Sequence, residues 1–301
     1  MKVLVTGGAG FIGSNLVGRL VEAGDDVTVL DSFHTGSAEN LSQVAGKVKT
    51  IKGDCKDVLK LPLPDFRAIY HLGIYSSSPM YRENPALVGE AINGSVAVFE
   101  LAIRQRAPVV FASSSSIYSG LRMPFREPMA PLVKDYYTEA RYAIERMAAL
   151  YCKLHGASIT AMRFFSVYGP HERSKKGFAN IVTQMIWNDE FEIYGDGRQS
   201  RDFIHVSDVN AACMLAMKKA DGFSVYNVGT GRETSFNEAA EMIKLLKPLR
   251  LRYKENPIRN YVDRTRADTT LARKALGFTA KVKLEDGLRE TVRHYLEDRG
   301  R

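Results

Sequence analysis

Cysteine is scarce in this chain, with three in 301 residues, and Cys55, Cys152 and Cys213 lie far apart. They are odd in number and form no C-x-x-C pair. Neither a disulfide framework nor a zinc cluster is available, no metal site is expected, and a reducing cytoplasmic setting follows. Long apolar runs are missing too. Nothing approaches the ~20 residues a bilayer span needs, and the apolar start Lys2–Val5 breaks at Gly7-Gly8 instead of continuing as a signal-peptide core. The expectation is a soluble, unprocessed protein with no membrane partner. Repeats, low-complexity tracts and long linkers are absent, and 45% hydrophobic with 25% charged residues excludes disorder and collagen-like repetition. What stands in excess is positive charge, a net +8. That balance favours anionic partners in general. The basic residues are dispersed and have no aromatic-basic motif beside them, so no nucleic-acid partner is expected.

Short β-branched apolar runs alternate with stretches of helical period, the signature of a parallel sheet. The spacing predicts strands over Lys2–Thr6, Asp26–Asp31, Val48–Gly53, Ala68–Leu72, Pro108–Ser113 and Ser158–Arg163. Helices are predicted over Ile12–Ala23, Asn84–Arg106 and Tyr137–His155. Six strands with right-handed crossovers give an α/β, doubly wound parallel sheet, the Rossmann fold. From about Gly169 the alternation loosens, with helices expected near Phe178–Asn188, Val206–Lys219, Ser235–Leu246 and Glu285–Asp298. The expected division is 1–168 for the doubly wound domain and 169–301 for a smaller α/β capping lobe, with the chain crossing between them.

The first strand runs into Gly7-Gly8-Ala9-Gly10-Phe11-Ile12-Gly13 and then a helix. In such a loop Gly7 permits a tight turn, Gly10 lets the backbone approach a pyrophosphate, and Gly13 lets the helix pack on the strand. The helix N-terminus offers N–H groups and a positive dipole end. An ordinary tight turn would not require an acid at the end of the next strand. Asp31 is there, 18 residues past Gly13. A carboxylate at that place accepts from both hydroxyls of an adenosine ribose and repels a 2′-phosphate, so the expected cofactor is NAD in preference to NADP. Asp54 and Cys55 after strand three, and Leu72 after strand four, fall at the strand ends that line the ligand crevice. Asp54 can equally cap a helix. Cys55 reads as a packed small hydrophobe and His71 as a structural histidine.

Strand five ends in Ala112-Ser113-Ser114-Ser115-Ser116-Ile117-Tyr118. Twenty-three residues beyond Ser114, Tyr137 and Arg141 stand four apart on a helix and share a face. A cation one turn from a phenol favours phenolate and so makes a base of tyrosine. A surface Tyr–Arg stack has the same spacing.

With these residues in view, the sequence resembles the extended short-chain dehydrogenase/reductase family, specifically its nucleotide-sugar epimerases and dehydratases, and most closely the UDP-glucose/UDP-galactose 4-epimerase group. The likeness takes in Gly7–Gly13, Asp31, Asp54, Ser113–Tyr118, Tyr137 to Glu145, Arg163–Pro170, Gly195–Val206, Tyr226–Gly231, Ala267-Asp268 and Leu276–Phe278. The resemblance implies a catalytic Ser114, Tyr137 as general base, Arg201 clasping the substrate diphosphate and Arg259 as a second clasp. It further implies that Ser77 and Ser166 contact the substrate, and that the two long helices pair in a homodimer. Three departures stand out. The usual Y-x-x-x-K is Tyr137-x-x-x-Arg141, the asparagine after Arg-Phe-Phe is Ser166, and the asparagine three before Gly94 is Ala91. Arginine keeps the charge but is bulkier and cannot shed its proton. Dehydratases and decarboxylases of the family carry an acid two residues before Tyr118, where this chain has Ser116. The expected reaction is therefore C4 epimerisation of a UDP-sugar. A UDP-uronic acid or N-acetylated sugar is the alternative substrate, and a catalytically weak NAD- and nucleotide-sugar-binding relative is the alternative class.

Overall fold

A computed structural model of the chain describes residues 1–172, 179–257 and 262–299. Its main sheet joins β1 (Lys2–Thr6), β2 (Asp26–Asp31), β3 (Lys49–Lys52), β4 (Ala68–His71), β5 (Val109–Ser114) and β6 (Ile159–Phe164). Three short strands follow, β7 (Ser166–Tyr168), β8 (Glu190–Tyr194) and β9 (Ser200–Arg201). After them come β10 (Phe203–His205), β11 (Phe223–Val228), β12 (Thr234–Ser235) and β13 (Arg250–Lys254). The order across the sheet is β11-β6-β5-β4-β1-β2-β3, every pairing parallel. β11 makes a seventh strand where the sequence suggested six. It continues the register of β6 from Phe223 against Ile159 to Val228 against Phe164.

The helices are α1 (Phe11–Glu22), α2 (Ser78–Glu83), α3 (Leu87–Gln105), α4 (Tyr136–His155), α5 (Ile181–Trp187), α6 (Val206–Lys218), α7 (Phe236–Lys244), α8 (Thr270–Leu276) and α9 (Leu284–Arg299). β1, β2 and β4 to β6 read as continuous apolar runs because both sheet faces are covered. Val3, Val5, Leu16, Val27, Met162 and Val209 build the core under α1 and α6. Leu4, Ile69, Phe99, Phe111 and Ile144 build the opposite core under α3 and α4. The helix expected over Asn84–Arg106 begins only at Leu87, and α2 precedes it. Pro85 accounts for the break, because its ring drives Asn84 out of the helical region, to φ −138° and ψ 91°. α5 starts at Ile181, three residues later than expected, and Phe178 lies outside the described residues. A third core of Tyr168, Val182, Met185, Phe236, Leu288 and Tyr295 gathers α5, α7 and α9. Among the described residues no helix is long and apolar enough to cross a membrane.

Candidate active site

The strand order reverses between β1 and β4, and ligand crevices form at such a switch point, outside the C-terminal strand ends. A cleft of about 410 Å³ opens there. Its floor is the β1–α1 turn. Gly7, at φ +68°, donates its N–H to Leu30 O at 2.8 Å, and Gly10 N–H returns to Gly7 O at 3.0 Å. A Cβ on Gly7 would lie 2.6 Å from Gly73 N, and one on Gly13 would lie 2.0 Å from Gly7 O. No side chain caps the N-terminus of α1. A glycine cradle against an uncapped helix end is built to admit phosphate oxygens.

Asp31 closes this turn. Its Oδ2 accepts from Ala9 N–H at 2.8 Å and its Oδ1 from Phe33 N–H at 2.7 Å. Burial pushes the carboxyl above its usual range, against the N–H groups of Phe33, Ala9 and Gly10. Each oxygen keeps a lone pair for a ribose hydroxyl. Asp54 caps the 3₁₀ turn Cys55–Lys60 by accepting from Lys56 N–H at 3.0 Å, and it lines the cleft as well. The Cys55 thiol reaches Gly73 O at 3.5 Å and is pushed up to about 12 by burial, which leaves it a packing group. His71 lies between Thr6 Oγ1 at 2.7 Å and Ser95 Oγ at 3.0 Å, and burial pushes it down to about 3. It is a neutral tie between β1, β4 and α3.

Ser114 ends β5, where its Oγ accepts from Ser116 N–H at 3.1 Å. Asp135 caps α4 by accepting from Thr138 N–H at 2.7 Å, which sets Tyr137 in the first turn. The Tyr137 ring stands edge-on to Tyr81 at 5.5 Å, and the Arg141 guanidinium carbon lies 5.1 Å from the Tyr137 ring centroid. Arg141 is buried. Its terminal nitrogens bond to backbone carbonyls, to Ala112 O at 2.7 Å, Tyr75 O at 2.6 Å and Ile74 O at 3.4 Å. Its Nε is buried with no partner. The guanidinium thus straps the ends of β4 and β5 together. Behind this wall Glu145 accepts from Arg163 Nε at 2.9 Å, from its terminal nitrogen at 2.6 Å and from Ser113 Oγ at 2.5 Å. That buried ion pair stiffens β5 and β6 beneath Ser114.

The structure brings most of the sequence-predicted residues to one cavity. Gly7, Gly10, Phe11, Ile12, Gly13, Asp31, Asp54, Cys55 and Leu72 line it, and Ser114, Tyr137, Arg141 and Ser166 do so from the other end. Two of the expected residues do not line it. Ser77 stands at the N-cap of α2 with its Oγ buried and unpartnered, and its neighbour Ser76 lines the cleft. Arg201 stands outside the wall. β9 pairs with β12, which leads into α7, so its guanidinium lies 5.1 Å from the Phe236 ring centroid and bonds to Ser200 O at 2.9 Å and Asp263 O at 3.2 Å. Arg259 lies outside the described residues.

Sequence reasoning passed over Glu172. It lines the cleft, with its carboxyl accepting from Asn180 N–H at 2.6 Å and from Thr183 Oγ1. Burial pushes it up to about 8, against those two hydrogen bonds. No spacing signals it, because its partners come from another element. The glycine cradle, the uncapped helix, the Asp31 carboxyl and the unpartnered Arg141 Nε together fit a dinucleotide with two ribose rings.

The description of the NAD dependent epimerase/dehydratase family matches residues 3–229. UDP-glucuronic acid decarboxylase 1 of Arabidopsis thaliana is 30% identical, over 97% of this chain and 69% of that protein. The UDP-glucose 4-epimerase of Thermotoga maritima, solved with UDP-glucose, superposes with a TM-score of 0.90 at 31% identity, over 99% of both chains. The UDP-glucose 4-epimerase of Thermus thermophilus, solved with NAD, gives 0.85 at 27% identity, over 98% of this chain and 99% of that one.

Proposed function

Since the chain belongs to the NAD dependent epimerase/dehydratase family, we propose that it is a 4-epimerase of nucleotide-diphosphate sugars, interconverting UDP-glucose and UDP-galactose. Its cofactor is NAD and its substrates are nucleotide sugars. The observation that carries the finer reading is one cleft wall holding Ser114, Tyr137 and Arg141, with a serine, Ser116, two residues before Tyr118. By the resemblance, the dehydratases and decarboxylases of the family carry an acid at that place, where this chain has a serine. Epimerisation needs only a base and a hydroxyl.

Gly7–Gly13 and the α1 N-terminus would hold the NAD pyrophosphate, Asp31 the adenosine ribose, and Arg141 Nε the nicotinamide ribose. When bound, NAD would supply the hydride acceptor and donor for C4 of the sugar. Tyr137 takes the proton of the C4 hydroxyl, directly or through Ser114 Oγ, and gives it back. The Arg141 guanidinium, its carbon 5.1 Å from the ring centroid, holds a positive charge beside that ring. Ser166, which lines the same cleft, would contact the sugar. Arg201 would clasp the diphosphate, turning from Phe236 to meet it. Two copies pair through α3 and α4, where Leu150 and Leu154 are exposed.

A second reading has its own observation. Arg141 spends its terminal nitrogens on carbonyls, so a catalytically weak relative that binds NAD and nucleotide sugar would show the same geometry. Purified protein incubated with UDP-glucose, UDP-galactose, UDP-glucuronic acid and UDP-N-acetylglucosamine, followed by separation of the C4 epimers, decides between them. Interconversion of the first pair, lost in Tyr137→Phe with NAD still bound, is expected. No epimer from any of the four would sink the enzyme reading.

A further inference from the structure

The four residues that leave β7 join the phosphate loop to the opposite wall of the cleft. Asn15 Nδ2 donates to Pro170 O at 3.0 Å, and Ser14 Oγ lies 2.9 Å from His171 Nδ1, so Pro170 and His171 are pinned to the first turn of α1. His171 has φ +70°, a conformation that non-glycine residues adopt only when their surroundings impose it. Glu172 then takes hold of α5 through Asn180 N–H and Thr183 Oγ1. Asn180 already caps α5, accepting from Val182 N–H at 3.2 Å, and its Nδ2 donates to Val167 O at 3.0 Å. The helix therefore needs no second cap for its own sake. What the Glu172 carboxyl adds is a tie between residues eight apart in sequence, both of them cleft-lining. A carboxyl drawn out of water is a costly way to do this unless the position it fixes matters.

We propose that Glu172 is a positioning residue, which holds Ala179 and Asn180 at the height above the phosphate loop where the nucleotide sugar rests against them. The inference builds on the nucleotide-sugar reading of the cleft and assigns that substrate's wall a strut. Glu172 touches neither the reacting carbon nor the cofactor cradle. Its loss changes how substrate is held, not the proton transfer at Tyr137.

The test is steady-state kinetics with UDP-glucose, together with calorimetric binding of UDP and of NAD, on wild type, Glu172→Ala, Glu172→Gln and Thr183→Val. Glu172→Ala loses both bonds and raises KM, and the UDP Kd with it, about tenfold, with kcat and the NAD Kd within about twofold. Glu172→Gln restores both values to near wild type, because its carbonyl still accepts from Asn180 and its amide donates to a rotated Thr183 hydroxyl. Thr183→Val keeps one bond and raises KM about threefold, and it decides the matter if Glu172→Ala fails to fold. Unchanged KM and UDP Kd in Glu172→Ala overturn the proposal. So does a parallel loss of NAD affinity, or a Gln variant as weak as the Ala variant. If wild type turns over no sugar, the epimerase reading falls, and the UDP Kd series still decides the role of Glu172.

Discussion

Arg141 illustrates how far a single side chain departs from its charge. An ammonium at that place would carry the same sign, but it is a point donor, whereas the guanidinium presents a planar fork able to reach several carbonyls at once. Here the fork spans Ala112 in β5 and Ile74 and Tyr75 in the loop that follows β4. Arg141→Lys leaves at least one buried carbonyl without its donor, and such a group costs about 1–3 kcal/mol. Urea unfolding should report a stability loss in that range. If the fork restrains catalysis, the same variant gains epimerase activity, and if the fork only braces the wall, activity falls with stability. The Tyr137–Arg141 pair was legible because four residues make one helical turn. The clamp was not, because its acceptors are backbone atoms 29 to 67 residues away.

At the level of elements, what the sequence disclosed follows from period. β1 to β6 and the long helices stand where apolar spacing placed them, to within a residue or two, apart from the break at Pro85. β9 and β12 are two residues each and β7 and β10 three, too short to carry a period of two. β11 shows no clear period, since its alternation is weak and its burial partial over Phe223–Tyr226. The cofactor cradle was the most legible part of the site, because Gly10 and Gly13 answer a local steric demand at Gly7 O. That demand makes a strong prediction. The methyl of Gly13→Ala would sit 2.0 Å from Gly7 O, so the β1–α1 turn must open. Overpacking of this kind costs about 1–3 kcal/mol. The midpoint of thermal unfolding should fall and NAD binding, read by calorimetry, should be lost. Gly10→Ala meets the same oxygen at 3.2 Å and should cost less stability for a comparable loss of NAD.

In the molecule as a whole, buried carboxyls do in the smaller, loop-rich part what strand pairing does in the main sheet. Asp202 accepts from the N–H groups of Thr230, Gly231 and Ala267 at 2.7 to 3.0 Å, and Asp208 from those of Lys281 and Val282 at 2.9 Å. Glu172 does the same for α5. Burial raises Asp202 as it raises Glu172, so these joints bind protons more tightly folded than unfolded. The sign follows by linkage. A group raised from 4.5 to about 8 contributes stability that is complete below 4.5 and lost as pH climbs through 8. The half-buried acids held low by partners, Asp268 and Glu233 among them, have delivered their contribution once pH exceeds their ordinary values near 4. His71, held down to about 3, opposes the trend only below 6.5. Between about pH 6.5 and 8, above the range in which His71 acts and below the folded-state value of Glu172, the Glu172 proton adds a decline in the unfolding free energy, with a slope from this group no steeper than about 1.4 kcal/mol per pH unit. Urea titrations at half-unit steps would measure it. Glu172→Gln, which carries no titrating proton, should flatten the decline, and an equal slope in that variant would move the effect to another buried acid.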